Sequence, residues 1–396
     1  MCERHHSLLP STPPPPPSLF RSDPVRPWID TDGQWYATIA TDGCNATTKQ
    51  VPCGAGGRID MWTSPYLRGP KADWRYVGPL IQSNRTVLTG HGDTNLLEGE
   101  FITAGYFGAL PGDPRQGRTR VFTNNINSNT GSDTTMYFIG VQQQPGAPLT
   151  DAQGGWDFAA PGETGMFDWG AFAPRPNAAS GSRGLDALSG GLDRVFSMAR
   201  TLGSASNQVR EPGRRVIVAW IGGTPAQQSL PRDLWLGPDA TMRQAFVPEL
   251  QQLRQGNATA GGQQLELLVN ISAPADFTGF AGVSVLGLAA SDVDAAECTR
   301  VGIDFGKQLV LIDGTAQGNA DVRAGPLYGA GGSGGVQTAS LHIYVDHSIV
   351  TVIANQQTGV TALVQPSSAA AGAIAPVGLN AAGVKGSVAA YTLASI

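Results

Sequence analysis

No stretch of eighteen or more apolar residues occurs in the 396-residue chain, so nothing in it has the length and composition of a membrane-spanning helix. Lysine is scarce and the net charge is −5, which leaves no basic stripe for nucleic acid and disfavours polymeric polyanions as partners. A neutral ligand fits this balance better. The five histidines, His5, His6, His91, His342 and His347, are scattered, and the cysteines lack zinc spacing, so no metal is expected. His91-Gly92-Asp93 reads as a turn. No Walker or Rossmann glycine string lies between a strand and a helix, since the Gly-rich stretch 329–335 is an Ala/Gly/Ser loop. No cofactor is expected. Long amphipathic helical periodicity is scarce as well: 245–254 suits a turn or two of helix, and 185–201 is ambiguous between helix and strand.

What is abundant is Gly, Ala, Ser, Thr and Pro. The first nineteen residues contain Leu8-Leu9 and then Pro13 to Pro17, without the continuous apolar core of a secretory signal. They read as a Pro-rich disordered leader or as a start produced by truncation. Cys44 and Cys53 share a short polar, Gly-containing loop, a spacing that suits a local disulfide; two unpaired thiols are the alternative. Cys298 is expected in the core as a small apolar residue. Asn-x-Ser/Thr sequons stand at Asn45, Asn84, Asn257 and Asn270. With the cysteine loop they lean towards a secreted or vacuolar protein, although no signal peptide is visible.

Short β-branched or aromatic segments bounded by Gly, Pro, Asn and Asp dominate: 34–40, 58–63, 135–142, 215–221, 265–271, 341–345 and 349–354. The class is all-β. All eight tryptophans precede residue 240, among long loops, whereas the second half reads as regularly spaced strands of a β-sandwich. Gln255-Gly256-Asn257 and Gly261-Gly262 interrupt the pattern, placing a boundary near Gly256. The expected organisation is a leader over 1–19, a first domain over 20–256 and a sandwich over 257–396. No fixed-period repeat is visible, which decides little, because propeller blades diverge.

Several segments, in order, resemble glycoside hydrolase family 32. Phe20-Arg21-Ser22-Asp23-Pro24, followed by Pro27-Trp28, Asp32-Gly33 and Gln34-Trp35-Tyr36, looks like the family's Arg-Asp-Pro motif and the hairpin after it. Ile59-Asp60-Met61-Trp62-Thr63-Ser64 and Asp73-Trp74-Arg75 look like the outer strands of that blade. Glu100-Phe101 through Tyr106-Phe107 resembles the Glu-Cys-Pro-Asp region, with two residues inserted and the Cys-Pro absent. Met136 to Gly140 with Phe167-Asp168-Trp169-Gly170, then Arg214 to Gly222, and Gln228 to Leu234, continue the series. Val345-Asp346-His347-Ser348-Ile349-Val350 resembles a sandwich motif that normally runs into a Glu, where Thr351 stands instead.

The resemblance implies a five-bladed β-propeller followed by a C-terminal β-sandwich, and a retaining hydrolase of β-fructofuranosides such as sucrose or fructan. It makes Glu100 the general acid, with Glu98 as rival, and Asp23 the acid that binds fructose hydroxyls and supports the oxocarbenium-like transition state. Asp168, Trp28 and Arg21 become candidate sugar contacts; a turn-capping Asp and a core Trp are the plainer readings of two of these. Arg232 reads as structural. Asp346 and His347, far along the chain, also read as structural rather than as an acid–base pair. The family nucleophile lies in an Asn-Asp-Pro-Asn-Gly string that does not occur here, so the first blade is expected to be largely missing and activity impaired. The other reading of the same residues is a non-catalytic carbohydrate-binding or structural protein. Either way the expected partner is a small carbohydrate and the expected state a monomer.

Overall fold

The computed structural model describes residues 27–30, 32–41, 58–82, 100–108, 110–114, 119–127, 133–142, 156–157, 164–166, 214–218, 220–221, 227–258, 261–287, 298–314, 322–330, 335–364, 366 and 371–394. The leader, Arg21, Asp23, Cys44, Cys53, Asp168 and the segment 185–201 lie outside them, as do Asn45, Asn84 and Glu98. Among the described residues the structure is nearly all strand, and no helix is long and apolar enough to cross a membrane. The chain divides into two compact units: one holds residues 1–166 with 199–215 and 234–242, the other 167–198 with 216–233 and 243–396.

In the first unit, β1 (Trp28–Ile29), β2 (Trp35–Thr41), β3 (Arg58–Ser64) and β4 (Arg75–Gln82) form a four-stranded antiparallel meander, the form a propeller blade takes. The β1–β2 turn is built by its own residues. Gly33, at φ +76°, donates its N–H to Asp30 O at 2.9 Å, and the Asp32 carboxylate accepts from Gln34 N at 3.0 Å and from the Tyr36 hydroxyl. An Asp-Gly pair supplies both the side-chain acceptor and the positive φ that such a turn requires. Along β2, Tyr36 and Thr38 are buried while their neighbours are half-buried, the period of two expected of a strand with one covered face. Pro79, which has no N–H to give, falls on the edge strand β4 beside a register shift at Ile59/Asp60. Ser64 Oγ organises the β3–β4 loop, donating to Tyr66 O at 2.8 Å and accepting from Asp73 N at 3.1 Å.

A second antiparallel sheet contains β5 (Glu100–Gly108), β6 (Thr119–Asn127) and β7 (Asp133–Gln142), with β8 (Trp156–Asp157) and β9 (Thr164–Met166) both paired to β7. Two register shifts interrupt β5, at Phe101/Thr103 and Tyr106/Gly108. Further on, β10 (Arg215–Ile217), β13 (Arg232–Leu236) and β14 (Met242–Phe246) make a three-stranded sheet, and β11 (Trp220–Ile221) with β12 (Gln227–Gln228) a two-stranded ribbon. The continuous strand expected over 215–221 is therefore two short ones.

The second unit contains a two-sheet sandwich. One sheet has the order β15 (Arg254–Asn257), β25 (Lys385–Leu393), β16 (Gln264–Pro274), β21 (Val336–Asp346), β22 (Ile349–Ala354), β23 (Thr358–Leu363). The other runs β20 (Val322–Pro326), β19 (Leu309–Asp313), β18 (Thr299–Asp304), β17 (Phe280–Gly287), β24 (Ala373–Val377). One hydrophobic core draws on both: Leu265, Leu267, Val269 and Ile271 from β16, with Val283, Val285, Val301, Ile303, Val310 and Ile312 opposite. Each such side chain, fully buried, stabilises by roughly 1.5–3 kcal/mol. Cys298 is buried, as expected of a small apolar residue.

The turn or two of helix expected over 245–254 is a short 3-10 helix, Pro248–Leu253. Pro248 opens it, and Leu250 N bonds back to Val247 O at 3.1 Å. Packing decides the outcome: Phe246, Val247 and Leu250 are pinned in a cluster with Val216, Tyr344, Ile353 and Leu393, and strands begin on either side. The six-stranded sheet starts at Arg254, so Gly256 lies inside its first strand.

Candidate functional site

Glu100 opens β5, where its backbone is in register with Asn127 of β6. It therefore stands at a strand terminus, next to the first of the two register shifts. Its proposed companions Asp23, Arg21 and Asp168 lie outside the described residues, so no distance joins these groups.

Trp28 is 7% exposed. Its ring stacks on Tyr36 with centroids 5.9 Å apart, and its indole N–H donates to Asp30 Oδ2 at 3.3 Å. This is the environment of a core tryptophan. The same sheet buries two carboxylates to which the motifs gave no role, Asp30 beneath Trp28 and Asp60 in β3, the latter accepting from the Tyr76 hydroxyl at 3.1 Å. The signal for Asp60 was available: an acid between Ile59 and Met61 breaks an apolar strand.

Arg232 is 1% exposed, and its Nη1 donates to Gln244 Oε1 at 3.0 Å. Gln244 in turn donates Nε2 to Gln357 O at 2.9 Å, and its backbone N–H reaches Gln356 O at 2.7 Å. The Leu-Pro-Arg-Asp motif thus supplies a buried structural guanidinium held by an amide. Asp346 and His347 form a hairpin corner between β21 and β22: His347 has φ +53°, its imidazole is mostly exposed, and Nδ1 lies 3.0 Å from Asp346 Oδ1. Gln264 Nε2 donates to the same carboxylate oxygen at 3.1 Å. These contacts are those of a solvated hairpin corner.

The most elaborate charged cluster among the described residues lies in the sandwich. Glu266 of β16 is fully buried, flanked in register by Tyr344 of β21 and Tyr391 of β25. Arg254 meets it with both ends of its fork, Nε to Oε2 at 2.6 Å and Nη2 to Oε1 at 2.7 Å, while lying 4.1 Å over the Tyr391 ring. His342 Nε2 adds a contact at 2.8 Å, and Phe246 packs edge-on against His342 and Tyr344. Burial alone would raise the Glu266 pKa. The hydrogen bonds from Arg254 and His342, and their charge, overcome that and hold it at about 2. Such a carboxylate carries no proton to give near neutrality, so the cluster is a structural tie and not a general acid. Sequence reasoning missed it, although Glu266 between Leu265 and Leu267 is again an acid in an apolar strand. No cluster of metal-ligating side chains occurs among the described residues.

Residues 240–389 match the sequence profile described as glycosyl hydrolases family 32 C terminal. No curated protein matches the chain by sequence. Among solved structures, the chain is similar to exo-inulinase from Aspergillus awamori, with 18% identity, TM-score 0.58, and coverage of 93% of this chain and 67% of that one. It is similar to sucrose-6-phosphate hydrolase from Lactobacillus gasseri, with 15% identity, TM-score 0.57, and coverage of 93% and 66%. It is also similar to fructan 1-exohydrolase IIa from Cichorium intybus, with 14% identity, TM-score 0.55, and coverage of 94% and 71%. The chain thus spans about two thirds of the length of these proteins, and at such identities the likeness is one of fold. The profile thus covers the C-terminal part of the chain, where the Val345 to Val350 motif lies, and the solved structures share its fold.

Proposed function

We propose that this chain is built for β-fructofuranoside chemistry, with sucrose or fructan as the ligand class. The observation that carries the reading is the family 32 profile over 240–389, preceded along the chain by the family's motifs in order. Glu100 is the proton donor to the leaving glycosidic oxygen in this reading. Asp23 binds fructose hydroxyls and stabilises the positive charge that develops at the anomeric carbon, and Arg21 and Asp168 contribute further sugar contacts. The stacking role considered for Trp28 would require its buried indole to be uncovered, so its part is to support the sheet.

Retaining cleavage also needs a carboxylate nucleophile about 5–5.5 Å from the acid, on the other side of the bond broken. The Asn-Asp-Pro-Asn-Gly string that carries it is not among the 396 residues. We therefore expect this polypeptide to bind fructosides weakly and turn them over little. Saturation-transfer NMR with fructose and 1-kestose tests the binding half. The expected result is transfer to the fructosyl protons that disappears in Asp23→Asn, with none to a glucose-only oligosaccharide. No transfer, or transfer indifferent to Asp23→Asn, would remove the basis of the assignment.

A further inference from the structure

The outward face of the β25–β16–β21 strands has two unlike halves. At one half Glu266 is roofed by Arg254, His342, Tyr344 and Phe246. At the other half the residues beside Asn270 are small. Asn270 is flanked in register by Ser340 on β21 and Ser387 on β25, and the next outward residue, Ser272, by Thr338 and Lys385. These side chains floor an open depression of about 580 Å³. Asn270 is exposed and its side-chain amide makes no hydrogen bond among the described residues, whereas Ile271 beside it is buried in the sandwich core.

Asn270-Ile271-Ser272 is also a sequon. The strand's period of two puts Asn270 and Ser272 on the open face together and turns only Ile271 inward. We infer that Asn270 is an N-glycosylation site whose glycan lies in this depression; the inference rests on export of the chain, and is independent of the fructoside site. In the transfer, the Asn270 amide nitrogen bonds to the anomeric carbon of an oligosaccharide carried on a lipid diphosphate. The glycosyl–oxygen bond to the diphosphate breaks, the lipid diphosphate departs, and the amide loses one proton to the medium. The acceptor is the unfolded segment, so the later pairing of β16 on both sides is no obstacle. What the folded protein must supply is room, and the small neighbours of Asn270 supply it.

A free saccharide in the same depression is the competing occupant. Hydroxyl and amide groups are present for it, but no aromatic ring is among the lining residues, and the cleft is shallow. Stacking faces and enclosure are what a saccharide site would use. The covalent glycan needs neither, because its link to Asn270 holds it in place.

The test is to send the full chain through a eukaryotic secretory pathway and map the secreted protein after enzymatic glycan release in ¹⁸O water, which isotopically marks each formerly glycosylated asparagine. The expected result is that most of the Asn270 peptide is marked, and that Ser272→Ala, which keeps the asparagine, leaves it unmarked. Asn270→Gln should give the same loss of mass on the intact protein. Secreted wild-type protein with Asn270 unmarked would overturn the proposal, whether or not Asn257, the other described and exposed sequon asparagine, is marked. Unmarked Asn270 together with saturable oligosaccharide binding lost in Asn270→Gln would overturn it in favour of a saccharide cleft. The wild-type measurement decides the matter even if either variant fails to fold.

Discussion

Glu266 shows what a single buried charge demands of its neighbours. Removing one partner of a buried ion pair typically costs 3–5 kcal/mol, because the other is left desolvated and uncompensated. Arg254→Met should therefore lower the urea midpoint by that amount of free energy at unchanged m-value, and an unchanged midpoint would show the tie to be idle. The pH dependence has a definite sign. The Glu266 pKa is depressed on folding from 4.5 to about 2, so its contribution is present above the unfolded value and disappears as the pH falls from about 4.5 to about 2. At neutral pH that contribution is about 3 kcal/mol by the same linkage. Acid titration of stability in wild type and Glu266→Gln should show this loss only in the wild type. A similar contrast applies to His347, whose exposed ring corners a hairpin: His347→Gly should change stability by no more than about 0.5 kcal/mol. Fructoside binding should be the same in this variant, and its loss would mean that the Asp346–His347 corner is part of the site after all.

Strands were the easiest elements to read and turns the next. The segments 34–40, 58–63 and 349–354 correspond to β2, β3 and β22 to within a residue, because alternation and flanking Gly, Asp and Ser agree there. Strands in small-residue sequence, such as Phe280–Gly287, were not legible, since Gly, Ala and Ser carry little pattern of burial. Their use is plain once paired. Gly282 of β17 faces Gly302 of β18, and a Cβ on Gly282 would lie 2.2 Å from Val301 O and 2.5 Å from Gly302 Cα. The two strands approach at this point only because neither carries a side chain. Gly282→Ala should destabilise by roughly 1–3 kcal/mol or more, the cost of overpacking a filled core, measured as a lowered melting midpoint. A neutral effect would mean that the sheet can spread. The candidate site was legible only as motifs: sequence order nominated Glu100, Asp23, Arg21 and Asp168, whereas the acids Asp60 and Glu266 show themselves through burial and partners that are distant in sequence.

For the whole molecule, the place where the sandwich begins has a measurable consequence. The profile match starts at residue 240, and β15 with Arg254 belongs to the sandwich sheet, while a boundary at Gly256 would cut through that strand. A fragment over 240–396 should be more stable than one over 257–396 by about 3–5 kcal/mol, since the shorter one strands Glu266 without Arg254 and uncovers Tyr344. Equal stability of the two would put the boundary back at Gly256. In the proposed function, Glu100 and Asp23 serve one fructoside site that still needs a carboxylate nucleophile. Nucleophile and acid act as a unit, so their effects are far from additive. The most direct measurement is fructose release from sucrose by the chain as written and by the same chain supplied, ahead of Asp23, with a first-blade strand bearing an aspartate. The account predicts little release from the first and clear release from the second, falling by about 10²–10⁴-fold in Glu100→Gln, the usual contribution of a general acid. Robust hydrolysis by the 396-residue chain alone, or release that survives Glu100→Gln, would contradict it.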